Sequence, residues 1–129
     1  RLSGDNGSNF SSTNYAYVSD VTNKHNNGDS VVQTSTGGRG LAQIELLNGA
    51  ATNQGQGVSG SVYLFSPLNT ALQVSLRWSL MGTHSNKNIK VVSGAAKEET
   101  SESRNAFSIF FHNGDIASGQ VRVYGIANG

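Results

Sequence analysis

The clearest pattern in the chain is the strict alternation over residues 72–80. Leu72, Val74, Leu76, Trp78 and Leu80 are apolar, and Gln73, Ser75, Arg77 and Ser79 between them are polar. Side chains on a strand point to opposite faces in turn, so a period of two predicts a strand with one buried face. Shorter stretches repeat the pattern. Residues 14–21 place Tyr15, Tyr17 and Val21 on one side, and residues 30–35 and 41–47 read as a second and a third strand. Residues 61–65 form another, stopped at Ser66-Pro67 because proline has no N–H to give a ladder. Residues 89–92 follow, then the alternating Phe107, Ile109 and Phe111. In residues 119–128, Gln120, Arg122 and Tyr124 lie on one face of a final strand and Val121 and Val123 on the other. The count is about eight strands, which suits an antiparallel β-sandwich.

Between these segments lie turn signals. Asn26-Asn27-Gly28-Asp29 accepts the positive φ angles of a tight turn, and Gly37-Gly38-Arg39-Gly40 reads as a break between strands. Residues 48–60 hold Gly, Asn and Gln with almost no large apolar side chain and read as a long loop. Residues 95–103 alone have a helical composition, but the stretch is short and acidic and reads as a loop. Residues 1–13, rich in Gly, Ser and Asn around a lone Phe10, read as a flexible arm or linker. That leaves residues 14–129 as a single domain.

Composition agrees with an all-β chain of many turns: glycine occurs 16 times and proline once in 129 residues. Nine basic residues against 8 acidic ones, with neither sign clustered, argue against a nucleic-acid partner. No apolar run is long enough for a membrane-spanning helix, so no membrane insertion is expected. With no cysteine, disulfides, thiolate metal sites and thiol catalysis are excluded. The chain opens on Arg1 with neither Met nor signal peptide, and is expected to be a piece or a processed product of something longer.

Candidate chemistry is sparse. His25, His84 and His112 have no second histidine or carboxylate pair at metal-ligand spacing, His112 near Asp115 being the nearest approach, so no metal or other cofactor is expected. Gly57-Val58-Ser59-Gly60-Ser61 is not a nucleophile elbow, and Gly37-Gly38-Arg39-Gly40 lacks the Lys-Ser/Thr of a phosphate loop. Asp20, Glu45 and Asp115 are too scattered to nominate a glycosidase pair. Glu98, Glu99 and Glu102 read as a solvated acidic loop rather than a calcium site. The Asn-x-Ser patterns at Asn6 and Asn9 match a glycosylation acceptor by a motif that arises easily in such a composition. Aromatic rings stack on sugars, which brings in Tyr15, Tyr17, Tyr63 and Trp78; Trp78 shares its face with aliphatic residues and belongs to the core. Tyr15 and Tyr17 remain as candidate ligand-binding residues, with no catalytic residue beside them.

Four segments resemble the jelly-roll domain of phage tail fibres, tailspikes and related virion proteins. They are Gly60-Ser61-Val62-Tyr63-Leu64-Phe65-Ser66-Pro67, the strand from Val74 to Trp78, Asn105-Ala106-Phe107-Ser108-Ile109-Phe110-Phe111, and Ala117-Ser118-Gly119-Gln120-Val121-Arg122-Val123-Tyr124-Gly125-Ile126. The resemblance implies an antiparallel jelly roll and a homotrimer on the virion surface. The implied partners are other virion proteins and, for receptor-binding tips, a host surface glycan. It implies no enzymatic activity, since the pattern carries no catalytic residue. The same scaffold could also serve as a carbohydrate-binding module of a larger glycan-active protein. A thin apolar inventory without disulfides favours assembly, because burial between copies adds the missing area.

Overall fold

A computed structural model describes residues 1–24, 30–48, 57–83, 89–111, 116 and 118–126. Among these residues there are seven strands and no helix. The strands are Leu2–Ser3 (β1), Tyr15–Lys24 (β2), Val31–Leu41 (β3), Val58–Phe65 (β4), Ser75–Thr83 (β5), Ile89–Glu98 (β6) and Ala106–Phe107 (β7). Five of them form an antiparallel sheet in the order β3-β2-β6-β5-β4, and β1 pairs with β7 in a second, two-stranded sheet. The chain is therefore all-β, with two antiparallel sheets.

Register shows why one face of the large sheet is the core face. Trp78 lies opposite Gly94 on one side and Val62 on the other, and Gly94 in turn faces Ser19. Residues in such a row project to the same side. The neighbouring rows put Leu76, Ala96 and Tyr17, then Leu80, Val92 and Val21, on that side too. Trp78, Val92 and Ala96 are buried there, and Tyr17, Val21, Leu76 and Leu80 pack against them. Glycine at 94 is required: a Cβ would run into the Trp78 ring, which occupies the space over the backbone. The indole Nε1 is buried and has no hydrogen-bond partner among the described residues. Its desolvation is offset by burial of the rest of the ring.

β3 and β4 sit on opposite edges of the sheet, so the chain between them must cross it. The crossing carries Ile44, Leu46 and Leu47, which pack against the Trp78 cluster. The alternation read as a third strand over residues 41–47 thus has another use. Apart from Leu41, which ends β3, these residues join no ladder and lie as a cover over the core face.

A second cluster, Leu2, Tyr15 and Val74, closes one end of the sheet together with Leu41, Ile44, Leu64 and Leu76. Here residues 1–13 depart from the expected flexible arm. Leu2 and Ser3 are buried, and the Leu2 N–H donates to the Tyr15 hydroxyl at 2.7 Å. The Ser11 N–H donates to the Leu2 carbonyl at 2.9 Å and the Ser108 N–H to the Arg1 carbonyl at 2.9 Å. Asp5 fixes the intervening turn by accepting from Ser3 Oγ and from the Asn9 amide and side chain. Polar composition did not mean freedom, because the Ser and Asn side chains bond the local backbone.

Other boundaries also move. β3 runs through Gly37, Gly38 and Arg39 instead of breaking there, and β6 continues through residues 95–98, which had read as loop. At Gly37 a Cβ would collide with the Tyr17 carbonyl, so glycine permits the strand rather than ending it. β7 is only two residues long, and Ile109 and Phe111 lie outside any ladder. Residues 119–126, expected to close the fold as a strand, join neither sheet and are exposed throughout. The expected turns at 26–29 and 113–114, and most of the loop over 48–60, lie outside the described residues.

Candidate interaction surface

No described segment covers the face of the large sheet opposite the Trp78 cluster. That face carries Val18 from β2, Val31 from β3, Tyr63 and Phe65 from β4, Met81 from β5, and Ile89 and Val91 from β6. These side chains are between 41% and 56% exposed. The seven are spread over all five strands of the sheet. Between them lie Arg77, Thr22 and Gln33 and the polar row Ser61, Ser79, Ser93, Asp20 and Ser35. Ala16, Val18, Ser35 and Gly37 form the floor of a shallow open depression, with Arg39 and Lys97 at its margin.

The margin is electrically quiet. Arg39 is paired with Glu99 through Nε at 3.0 Å, and Lys97 Nζ donates to the Gln73 side chain at 3.0 Å. Asp20, also on this face, accepts from Ser35 Oγ at 2.6 Å. Charges that are already satisfied cost less to bring against a neighbour than bare ones.

The two tyrosines expected at a ligand surface are placed elsewhere. Tyr15 is fully buried, with its hydroxyl accepting the Leu2 N–H, and this corrects the expectation that it is a surface contact. Burial, with Glu98 nearby, holds its phenol above the usual tyrosine range even though the Leu2 N–H favours the ionised form. Tyr17 is partly buried on the core face. Its ring centroid lies 6.4 Å from that of Trp78, tilted at 55°, and its hydroxyl donates to Glu45 at 3.3 Å. Both belong to the packing because residues 15 and 17 share the parity of the buried Ser19. The exposed aromatics are Tyr63 and Phe65 on β4, with Phe107, Phe110, Phe111 and Tyr124 beyond the large sheet.

The acidic segment is likewise not solvated as expected. Glu98 is fully buried and held by both arms of the Arg104 guanidinium, with Nε and Nη2 each at 2.6 Å from a carboxylate oxygen. Glu102 meets the same guanidinium from outside at 2.8 Å. One glutamate faces inward because β6 extends to residue 98 and the alternation turns that position toward Tyr15. The sequence signal was an Arg six residues beyond a Glu at a strand end, which is too generic to single out.

No catalytic constellation forms among the described residues. Asp20 lies on the open face and Glu45 beside Tyr17 over the core face, so the sheet separates them. No group of three His, Asp or Glu side chains that could hold a metal occurs among the described residues. His25, His84, His112 and Asp115 lie outside them. Among the described residues no helix is long and apolar enough to cross a membrane, which says nothing of barrel-forming strands.

Comparison with protein-family models, curated proteins and solved structures returned no match for this chain.

Proposed function

We propose that this protein is a non-enzymatic assembly and attachment module of a virion surface, working by self-association through its sheet. The observation that carries the reading is the set of exposed apolar side chains, Val18, Val31, Tyr63, Phe65, Met81, Ile89 and Val91, that the five strands of the large sheet bring to one face. The virion setting rests on the resemblance of residues 60–67, 74–78, 105–111 and 117–126 to jelly-roll domains of phage tail fibres and tailspikes. Under that reading the two sheets are parts of a jelly roll, the assembly is a homotrimer, and its neighbours are other virion proteins and a host surface glycan.

Tyr63 and Phe65 favour a second reading, a carbohydrate-binding module. They stand two residues apart on the same face of edge strand β4, spaced to present two rings to a sugar chain.

Light scattering after size exclusion separates these readings. A mass of three chains, stable on dilution, is the expected result. A monomer at every concentration overturns self-association and leaves the sugar module, which titration with oligosaccharides then tests through Tyr63→Ala.

A further inference from the structure

Two features of the fold are complementary, and both are unsatisfied within one chain. The first is the segment 119–126, Gly-Gln-Val-Arg-Val-Tyr-Gly-Ile. It belongs to neither sheet, yet Val121, Val123, Tyr124 and Ile126 are 69%, 71%, 76% and 82% exposed. Alternating β-branched residues of this kind have strong strand propensity, and an isolated strand in water has nothing to pair with.

The second is the outer edge of β4. Among the described residues this strand pairs only with β5, and no described strand pairs with its other side. Natural edges are usually guarded by charge, proline or brevity. β4 runs for eight residues, Val58–Phe65, with neither a charge nor a proline among them. Its core-face side chains are also incompletely covered. Val62 lies in the Trp78 row, and Val58 two rows away on the same side, yet they remain 39% and 41% exposed. The opposite edge of the sheet is a poorer acceptor. On its core face β3 offers one exposed apolar side chain, Val32 at 41%, beside Thr34, Thr36 and Gly38, and it bears Arg39, already paired with Glu99.

We infer that residues 119–126 of one copy add as a strand to the β4 edge of a second copy. This inference deepens the proposed self-association and rests on it. The lengths match at eight residues each. Alternation matches too in a parallel register that sets Gly119 opposite Val58: Val121 and Val123 then fall opposite Gly60 and Val62 on the core face, and Tyr124 and Ile126 opposite Tyr63 and Phe65. Main-chain bonds supply affinity in such an addition, and the alternate side chains supply register. Passed from copy to copy in one direction, the donation is heterologous and closes as a ring.

The test uses the full chain with a photoreactive benzophenone side chain at position 123, mixed with an isotopically heavy copy. Light-to-heavy crosslinks falling within residues 58–65 are the expected result. Crosslinks confined to one chain, or falling elsewhere, overturn the inference. The double substitution Val121→Lys and Val123→Lys reads the same contact by mass. Both positions are solvent-exposed in the single chain, so the folded monomer survives, and near-ultraviolet dichroism from Trp78 checks that it does. A fall to monomer is expected. A retained trimer overturns strand donation while leaving self-association standing, and a wild-type chain that is already monomeric overturns both.

Discussion

Removing one side of the Glu98–Arg104 pair tests whether the buried end of the sheet is held by charge. The carboxylate is 0% exposed and the guanidinium 11%, and they meet through two bonds of 2.6 Å. In Glu98→Ala the guanidinium stays largely buried, with only Glu102, 62% exposed, left as its carboxylate partner. Breaking a buried pair from one side costs about 3–5 kcal/mol, because the surviving charge is left without compensation. Glu102 offsets part of this, which places the expected loss near 3 kcal/mol, or about 12 °C in Tm for a chain of this size. Arg104→Met should cost a similar amount, since no other described residue forms a salt bridge with Glu98. The double variant Glu98→Leu, Arg104→Met should cost less than either single change, as it leaves no buried charge behind. Urea unfolding followed by Trp78 fluorescence measures all three. Repetition in 1 M salt should change little, because screening acts weakly on a desolvated pair. Arg39→Ala is the control: it breaks an ion pair whose arginine side chain is 78% exposed and should cost less than about 1 kcal/mol. Single variants as mild as this control would refute the assignment of Glu98–Arg104 as a structural clamp.

Three further outcomes are expected. Gly94→Ala forces a Cβ into the space of the Trp78 ring and should cost about 1–3 kcal/mol by overpacking, with a changed Trp78 emission spectrum; unaltered stability would refute the close contact. Leu2→Ala should cost about 2–5 kcal/mol, whereas a flexible arm would lose almost nothing, and thermal unfolding decides between them. Tyr15 and Tyr17 both titrate above the usual tyrosine value, chiefly through burial. Their raised folded-state values mean that the stability they contribute is whole below the unfolded value of about 10 and is lost as pH rises through the folded values. Stability against urea should therefore fall on the alkaline side, and Tyr15→Phe should shallow that fall.

The large sheet was legible in the sequence wherever one face is buried and the other wet. Over residues 75–80 the alternation carries through β5, with Trp78 in the core among the aliphatic neighbours of its face, whereas Leu72, at the start of the same alternation, lies outside the strand and is 53% exposed. The pattern failed where apolar residues serve something other than a ladder. Ile44, Leu46 and Leu47 alternate no worse than a strand does, but they cross the sheet as a cover. It failed again where polar residues make local bonds: Ser3 and Asp5 look like linker and act as the fixings of Leu2. Tyr15 and Tyr17 were misplaced for a third reason. Nearness to a polar arm suggested exposure, yet their parity with Ser19 and Val21 put them inside. Parity outranks neighbourhood on a strand, because the pleat fixes the side while the flanking composition does not.

The clamp and the bare edge divide the work of the sheet. At one end of the strands Glu98, Arg104, Tyr15 and Leu2 interlock through ions, hydrogen bonds and apolar contact, so that end needs no partner to be stable. Along β4 nothing comparable exists: Val58, Val62, Tyr63 and Phe65 stay exposed on both sides of the strand. Substitutions in the clamp should therefore lower the unfolding free energy at any protein concentration. Substitutions along β4 or in residues 119–126 should act through mass action, with an effect that grows as concentration rises above the dissociation constant of the assembly. Unfolding measured across a wide concentration range distinguishes the two. Equal concentration dependence in both sets of variants would mean that the fold and the assembly are one equilibrium, and that the clamped end is not stable on its own.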